Sequence, residues 1–330
     1  MEPNRSKVAI LGTRFRDFDI EREMLPDVEL VSGPGGSRAE IVEVARGAAL
    51  ILAGAAPMFD RLTLEELGAG AIVRLGVGVD SVDLEAARSL GMTVAYVPDY
   101  GTESVALHTV SLILASIRRL KLADARTRDG SWGVAPLRPL HLPAGLTVGI
   151  VGFGRIGRRV AVMLTGLGFQ RFLVADPVLE ERDLAATLPA VAGRLTDLDD
   201  LLSGSDVVTL HAPTTDVRHL IGARELATMK EGSVLVNTAR GGLIETGALV
   251  EALAAGRPAV AALDVYETEP PDPSVFEPVA DRLLLTPHMS WYTEETEDEL
   301  RRKAAAEAVR ILSGEPPLHP VVSPITAEVR

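Results

Sequence analysis

Residues 147–157 read Thr147-Val148-Gly149-Ile150-Val151-Gly152-Phe153-Gly154-Arg155-Ile156-Gly157. A short apolar run, bounded by glycine and followed by the helical pattern Ile156–Leu167, is a buried strand feeding a helix. The first glycine of the triplet permits a tight turn. The second lets a pyrophosphate approach the backbone, and the third lets helix and strand pack closely. The helix start offers free N–H groups and a positive dipole end, and Arg155 adds a charge-assisted contact. Gly152, Gly154, Arg155, Ile156 and Gly157 are therefore candidate dinucleotide-binding residues. Nineteen residues past Gly157 the next strand ends in Val174-Ala175-Asp176. A carboxylate there accepts from a ribose diol and repels a 2′-phosphate, and Pro177 and Val178 bring no adjacent arginine. NAD is expected in preference to NADP. The competing reading makes Asp176 a cap of the following helix.

The same rhythm extends both ways. Upstream, Val8–Leu11, Ala49–Ala53, Ile72–Leu75 and Thr93–Val97 read as four buried strands, with helices at Arg38–Arg46, Leu64–Leu67 and Leu84–Leu90 between them. Such spacing implies an open parallel sheet. Pro98-Asp99-Tyr100-Gly101 breaks the pattern before a long helix over Glu103–Arg119. Around the glycine turn, six strands are expected at Thr147–Val151, Phe172–Ala175, Val207–Leu210, Val234–Asn237, Ala259–Leu263 and Leu283–Thr286, and a last helix at Glu294–Leu312. The fold class is α/β, with two Rossmann-like or flavodoxin-like parallel-sheet domains. Residues 124–143, rich in charge, Gly and Pro and carrying Trp132, form an arm. Such an arm is either a plain surface loop or a grip on a second copy. A homodimer through residues 100–145 is the expectation adopted.

Composition narrows the partners. The 330 residues carry a formal net charge of −13, which opposes general nucleic-acid binding. There is no cysteine, which removes disulfides, thiolate metal sites and thiol nucleophiles and suits a cytoplasmic setting. No apolar stretch is long enough to span a membrane, and Met1–Gly12 lacks the apolar core of a secretory leader, so no membrane association is expected. The six histidines offer no close pair, and no metal is expected.

Three stretches close the later strands, where open α/β sheets bind ligands. They are Asn237-Thr238-Ala239-Arg240-Gly241-Gly242, Asp264-Val265-Tyr266-Glu267-Thr268-Glu269-Pro270 and Thr286-Pro287-His288-Met289-Ser290-Trp291-Tyr292. An Arg, a carboxylate and a His in one cleft suit a 2-oxo acid. Arg240 grips a carboxylate and polarises the adjacent carbonyl. His288 exchanges the proton, and a neighbouring Glu269 favours its imidazolium form. Taken singly, each has a bland alternative: a surface arginine, a loop carboxylate, a hydrogen-bonded loop histidine.

The order of these motifs, with Gly76-Val77-Gly78-Val79-Asp80, resembles the D-isomer-specific 2-hydroxyacid dehydrogenase family over nearly the whole chain. The resemblance implies that Arg240, Glu269 and His288 are substrate arginine, histidine partner and acid/base. It implies a backbone cradle at Gly76–Gly78, with Val77 and Gly78 on the substrate carboxylate, and Tyr100 at a hinge touching substrate. Thr238, Ala239 and Asp264 would lie near the nicotinamide, and the His211-Ala212-Pro213 loop against the cofactor. That loop is one residue short of the family pattern, which leaves contacts from Thr214 and Thr215 unassigned; His211 and His219 are given no catalytic part, and His108 reads as a structural histidine. His288-Met289-Ser290-Trp291-Tyr292 and Arg74 look like the branch containing C-terminal binding proteins, where the tryptophan packs on the substrate side chain and the arginine approaches the carboxylate. An apolar 2-oxo acid is the substrate this implies. The family layout makes residues 1–98 plus 294–330 a discontinuous substrate domain and residues 99–293 the NAD domain, with an active-site cleft between them. The expected reaction is NAD-dependent interconversion of a 2-oxo acid and its (R)-2-hydroxy acid. The alternatives are an NAD-sensing corepressor-like binding protein, disfavoured by the short stretch after Leu312, and a phosphite-type oxyanion dehydrogenase.

Overall fold

Strands form where the apolar runs lie. In the computed structural model, which describes residues 5–13, 15–188, 190–214 and 218–323, β1 (Lys7–Leu11), β2 (Glu29–Gly33), β3 (Leu50–Ala53), β4 (Ala71–Arg74) and β5 (Thr93–Tyr96) alternate with helices. A second series comprises β6 (Thr147–Val151), β7 (Arg171–Ala175), β8 (Ala192–Leu195), β9 (Val207–Leu210), β10 (Val234–Asn237), β11 (Val260–Leu263) and β12 (Leu283–Leu285). β13 (Pro320–Val322) follows the helix Glu294–Leu312. Every residue of β3, β4, β9 and β10 is buried, because parallel strands covered by helices on both faces must be apolar throughout. Several helices start at side-chain caps. Ser37, Asp60 and Asp83 each accept the N–H of the residue three positions on, satisfying donors a helix start leaves over.

The chain divides into two units, Met1–Gly101 with Thr293–Arg330, and Thr102–Tyr292. The first holds a six-stranded sheet in the order β13-β5-β4-β3-β1-β2, the second a seven-stranded sheet in the order β12-β11-β10-β9-β6-β7-β8. In the second sheet alternate residues feed opposite faces. Val148, Ile150, Phe172 and Val174 pack with Phe153, Phe169 and the helix Thr102–Ile117. Val151, Val208, Leu210 and Leu235 pack with Leu201, Leu226 and Leu249. Among the described residues no helix is long and apolar enough to cross a membrane.

Three features correct the sequence reading. The sheets have six and seven strands rather than four and six, and the additions β2, β8 and β13 are all edge strands. An edge strand is covered less completely, so its sequence needs no unbroken apolar run; β2 and β8 are half exposed. The first sheet is not wholly parallel, since β13 runs antiparallel to β5. The long helix stops at Ile117 because Arg119 turns left-handed (φ 49°), and the arm opens as a further helix, Leu120–Arg128, that buries none of its residues.

Candidate active site

β6 has β7 on one side and β9 on the other, so successive connections leave it in opposite directions. Ligands of open α/β sheets bind at such a switch point. The turn after β6 accepts no side chains at two of its glycines. Gly152 sits at φ +87°, and a Cβ there would lie 2.7 Å from the His211 carbonyl carbon; a Cβ on Gly157 would lie 2.3 Å from the Gly152 oxygen. At Gly154 a Cβ would meet nothing within 4 Å, so the outer side of the turn is open. The turn therefore fits a pyrophosphate at the start of the helix Arg155–Gly166. Asp176 accepts from Phe153 N (2.7 Å) and Val178 N (3.0 Å). It does not cap the next helix, whose N-cap is Glu180. Its carboxylate is thus fixed beside the glycine turn with acceptor capacity to spare.

His211 follows β9, its Nε2 3.0 Å from Thr209 Oγ1. Enclosure of the ring pushes its pKa down to about 3, so it is neutral and no proton donor near neutral pH. Ala212, Pro213 and Thr214 continue this loop, and Thr215 lies outside the described residues.

The Arg240 turn is built by Asn237 at the end of β10. Its Nδ2 donates to Arg240 O (2.8 Å) and its Oδ1 accepts from Ala239 N (3.0 Å). Thr238 Oγ1 lies 2.7 Å from Thr109 Oγ1 on the helix Thr102–Ile117. The Arg240 guanidinium donates to Ala239 O. A Cβ on Gly241 would lie 1.9 Å from the Tyr266 carbonyl, so the arginine turn is pressed backbone to backbone against the segment after β11.

That segment begins with Asp264, which is fully buried. Its Oδ1 accepts from Thr286 Oγ1 (2.6 Å) and Met289 N (3.0 Å), and its Oδ2 from Ser290 N (2.9 Å). Burial opposes the charge, and these donors overcome it, holding the carboxyl below its usual range. His108 Nε2 joins the network at Thr286 Oγ1 (3.1 Å). Asp264 thereby pins the loop carrying His288, whose own N–H donates to Asp264 O (2.8 Å) and whose φ of 50° is left-handed. His288 Nδ1 donates to Glu269 Oε2 at 2.6 Å, and Tyr266 N donates to Glu269 Oε1 at 3.0 Å. Burial works against the Glu269 charge, but the bond to His288 and its charge hold the carboxyl low. Tyr266 donates to Leu263 O and Thr286 O; burial, with the Asp264 and Glu269 charges, raises it to about 12. Trp291, partly buried, meets Tyr292 edge-on at 5.6 Å between centroids.

In the other unit, Arg74 is buried at the end of β4 and donates from Nη1 to Leu75 O (2.8 Å) and Ala53 O (3.2 Å). Gly76 has φ +143°; a Cβ there would lie 3.4 Å from the Tyr100 hydroxyl and 3.5 Å from Arg74 Nη1. Arg74, Gly76 and Tyr100 thus form one cluster, with Val77 exposed and Gly78 half-buried beside it.

The structure therefore bonds Glu269 to His288, backs the Arg240 turn with the segment that carries Glu269, and gathers the glycine turn with His211 and Ala212. Sequence reasoning missed a second histidine–glutamate pair, His219 Nε2 with Glu267 Oε1 at 2.5 Å. It also missed the bracing by Asn237 and Thr286; His108, expected to be a structural histidine, bonds to Thr286. An Asn opening a turn signals its own local bonds. The pairing of His219 with Glu267, 48 positions apart, leaves no local signal.

A family profile described as "D-isomer specific 2-hydroxyacid dehydrogenase, NAD binding domain" matches residues 110–290. The chain is 39% identical over 253 residues to a glyoxylate reductase of Aeropyrum pernix, covering 74% of each chain. It is 38% identical over 247 residues to a D-3-phosphoglycerate dehydrogenase of Archaeoglobus fulgidus, covering 74% of this chain and 46% of that one. It thus spans about half the length of the phosphoglycerate dehydrogenase and about three quarters of the glyoxylate reductase. Among solved structures, a D-lactate dehydrogenase from Aquifex aeolicus, complexed with NAD and lactic acid, superposes with a TM-score of 0.86 at 29% identity, covering 96% of this chain and 99% of that one. The chain belongs to the D-isomer-specific 2-hydroxyacid dehydrogenase family, and its Thr102–Tyr292 unit carries that family's NAD-binding domain.

Proposed function

We propose that this protein reduces a 2-oxo acid with an apolar side chain to its (R)-2-hydroxy acid, or runs the reverse oxidation, using NAD(H) in preference to NADP(H). The observation that carries the reading is the Glu269–His288 pair, set on the segment that backs the Arg240 turn. The nicotinamide supplies or receives the hydride when bound. Arg240 holds the substrate carboxylate and polarises the adjacent carbonyl. His288, its Nδ1 taken by Glu269, presents Nε2 and delivers the proton in reduction or removes it in oxidation. Glu269, held anionic, keeps the imidazole oriented through its bond to Nδ1. Arg74 and the Val77–Gly78 backbone assist at the carboxylate, Tyr100 contacts the substrate, and Trp291 packs on its side chain. Gly152, Gly154, Arg155, Ile156 and Gly157 hold the pyrophosphate and Asp176 the ribose diol. Ala212, Pro213, Thr238, Ala239 and Asp264 line the remainder of the cofactor site. The chemistry of the relatives, named for glyoxylate, hydroxypyruvate, 3-phosphoglycerate and lactate, supports the 2-hydroxy acid class.

The protein works in this reading as a cytoplasmic homodimer joined through residues 100–145. Trp132, Val134 and Leu142 on that arm are 91%, 60% and 75% exposed, a cost a partner surface would relieve. A panel of 2-oxo acids assayed with NADH and NADPH tests the function. Turnover with aliphatic 2-oxo acids and a preference for NADH are expected, the latter relaxing in Asp176→Ala. Absence of NADH oxidation across the panel would reject the activity, and equal use of NADPH would reject the role of Asp176.

A further inference from the structure

The second histidine–glutamate pair lies where three functional segments meet. Glu267 stands two residues before Glu269. Its Oε1 meets His219 Nε2 at 2.5 Å, and its Oε2 accepts from Thr246 N at 2.8 Å, in the first turn of the helix Thr246–Ala254. His219 in turn donates its backbone N–H to Gly242 O at 2.8 Å. Ile221 N donates to Leu243 O, and Glu245 N to Ile221 O. The Arg240 turn is therefore held on its downstream side at both Gly242 and Thr246. The Glu267 carboxylate makes the hold at Thr246 directly and grips the ring of His219, whose backbone makes the hold at Gly242, and Gly241 lies against the Tyr266–Glu267 peptide.

Two further facts show that the pair is built. Glu267 is only 20% exposed, yet burial does not neutralise it: the Thr246 N–H and the His219 ring take its carboxyl down to about 2. His219 also holds its ring in place from a left-handed backbone (φ 57°), a conformation that glycine adopts more readily. The strain is tolerated where the imidazole has a task.

We propose that His219 and Glu267 are positioning residues that lock the Arg240 turn to the Glu269 segment, setting the spacing between the carboxylate grip and the acid/base pair. Neither touches substrate. This rests on the functional reading above, because spacing matters only if Arg240 and Glu269–His288 act on one molecule. Misplacement of reacting groups by about 1 Å costs on the order of 100-fold in rate.

The test uses the full chain in three variants. His219→Gly removes the imidazole and suits the backbone angle, so it separates loss of the lock from misfolding. Glu267→Ala removes both bonds, and Glu267→Gln keeps an acceptor for Thr246 N and a polar amide group facing the imidazole. In steady state with NADH and the best 2-oxo acid, we expect His219→Gly and Glu267→Ala to raise the substrate KM about tenfold. NADH affinity, read by fluorescence, is expected to stay unchanged, and Glu267→Gln to return KM to within about threefold of the parent. Hydrogen exchange gives a readout independent of turnover. Peptides covering residues 219–222 and 238–246 should lose protection in Glu267→Ala while those covering 148–157 keep it. A parent enzyme inactive on every 2-oxo acid would defeat the functional reading, and the exchange result would still judge the lock. Parental KM in His219→Gly, equal failure of Glu267→Gln and Glu267→Ala, or unchanged exchange at 238–246 would each overturn the proposal.

Discussion

The segment Tyr266–Glu269 serves two histidines, and the contrast between them separates chemistry from architecture. Glu269 takes the Nδ1 of His288, whereas Glu267 takes the Nε2 of His219. Nδ1 is the ring nitrogen nearer the backbone, so a histidine held there keeps its distal nitrogen for a reacting molecule. A histidine held at Nε2 has spent its distal nitrogen on the protein and is left with the one nearest its own chain. The glutamates differ in the same sense. The remaining oxygen of Glu269 accepts from Tyr266 N on its own segment. That of Glu267 accepts from Thr246 N at the start of another element. One pair orients a proton-transfer group; the other ties two loops together. Residue type and even partner type are the same, so the bonded atom tells them apart.

Removing each histidine in turn should break the symmetry most sharply. His288→Ala is expected to lower kcat by about 10³-fold with the substrate still bound, as loss of a general acid does; single-turnover NADH oxidation checks it. A loss no greater than that of His219→Gly would erase the distinction between the pairs.

Glu269→Gln should follow, with kcat down about 10- to 100-fold. Glu269, its carboxyl held below the usual range, is anionic at neutral pH and holds the imidazole at Nδ1. With glutamine there the ring loses its anionic partner, and steady-state kcat at one pH checks the loss. Glu267→Gln should leave kcat near the parental value, because its carboxylate faces His219.

The smallest effect belongs to stability. The Glu267 carboxyl lies at about 2 in the folded protein against an ordinary 4.5. A depressed carboxylate contributes its stability in full above the unfolded value and loses it as pH falls from about 4.5 to about 2. After allowance for solvent screening, the contribution is on the order of 1–2 kcal/mol. Urea melts at pH 6 and pH 3 should show the parent losing its advantage over Glu267→Gln at the lower pH.

Much of the site was readable in the chain because its parts are local. The glycine turn needs only a strand before it and a helix after it, and Gly157 is required by the Gly152 carbonyl a few residues away, although Gly152 itself is also hemmed in by the distant His211 backbone. Arg240, Glu269 and His288 each follow an apolar run that forms a strand, and their order along the chain matches a known family. The edge strands β2, β8 and β13 were not readable, because half-covered strands carry no unbroken apolar signature. His219 and Glu267 were not readable because nothing near either residue marks the other.

The sequence by itself determined the parallel α/β frame, the cofactor turn and the family, since each is written in contiguous apolar runs and glycine spacings that short-range sterics enforce. Only the tertiary structure decided which ring nitrogen each glutamate takes, how Asp264 pins the His288 loop, and how Glu267 reaches Thr246. Those are meetings between residues far apart in the chain. Their geometry comes from packing one strand end against the next, and no local pattern of residues encodes it.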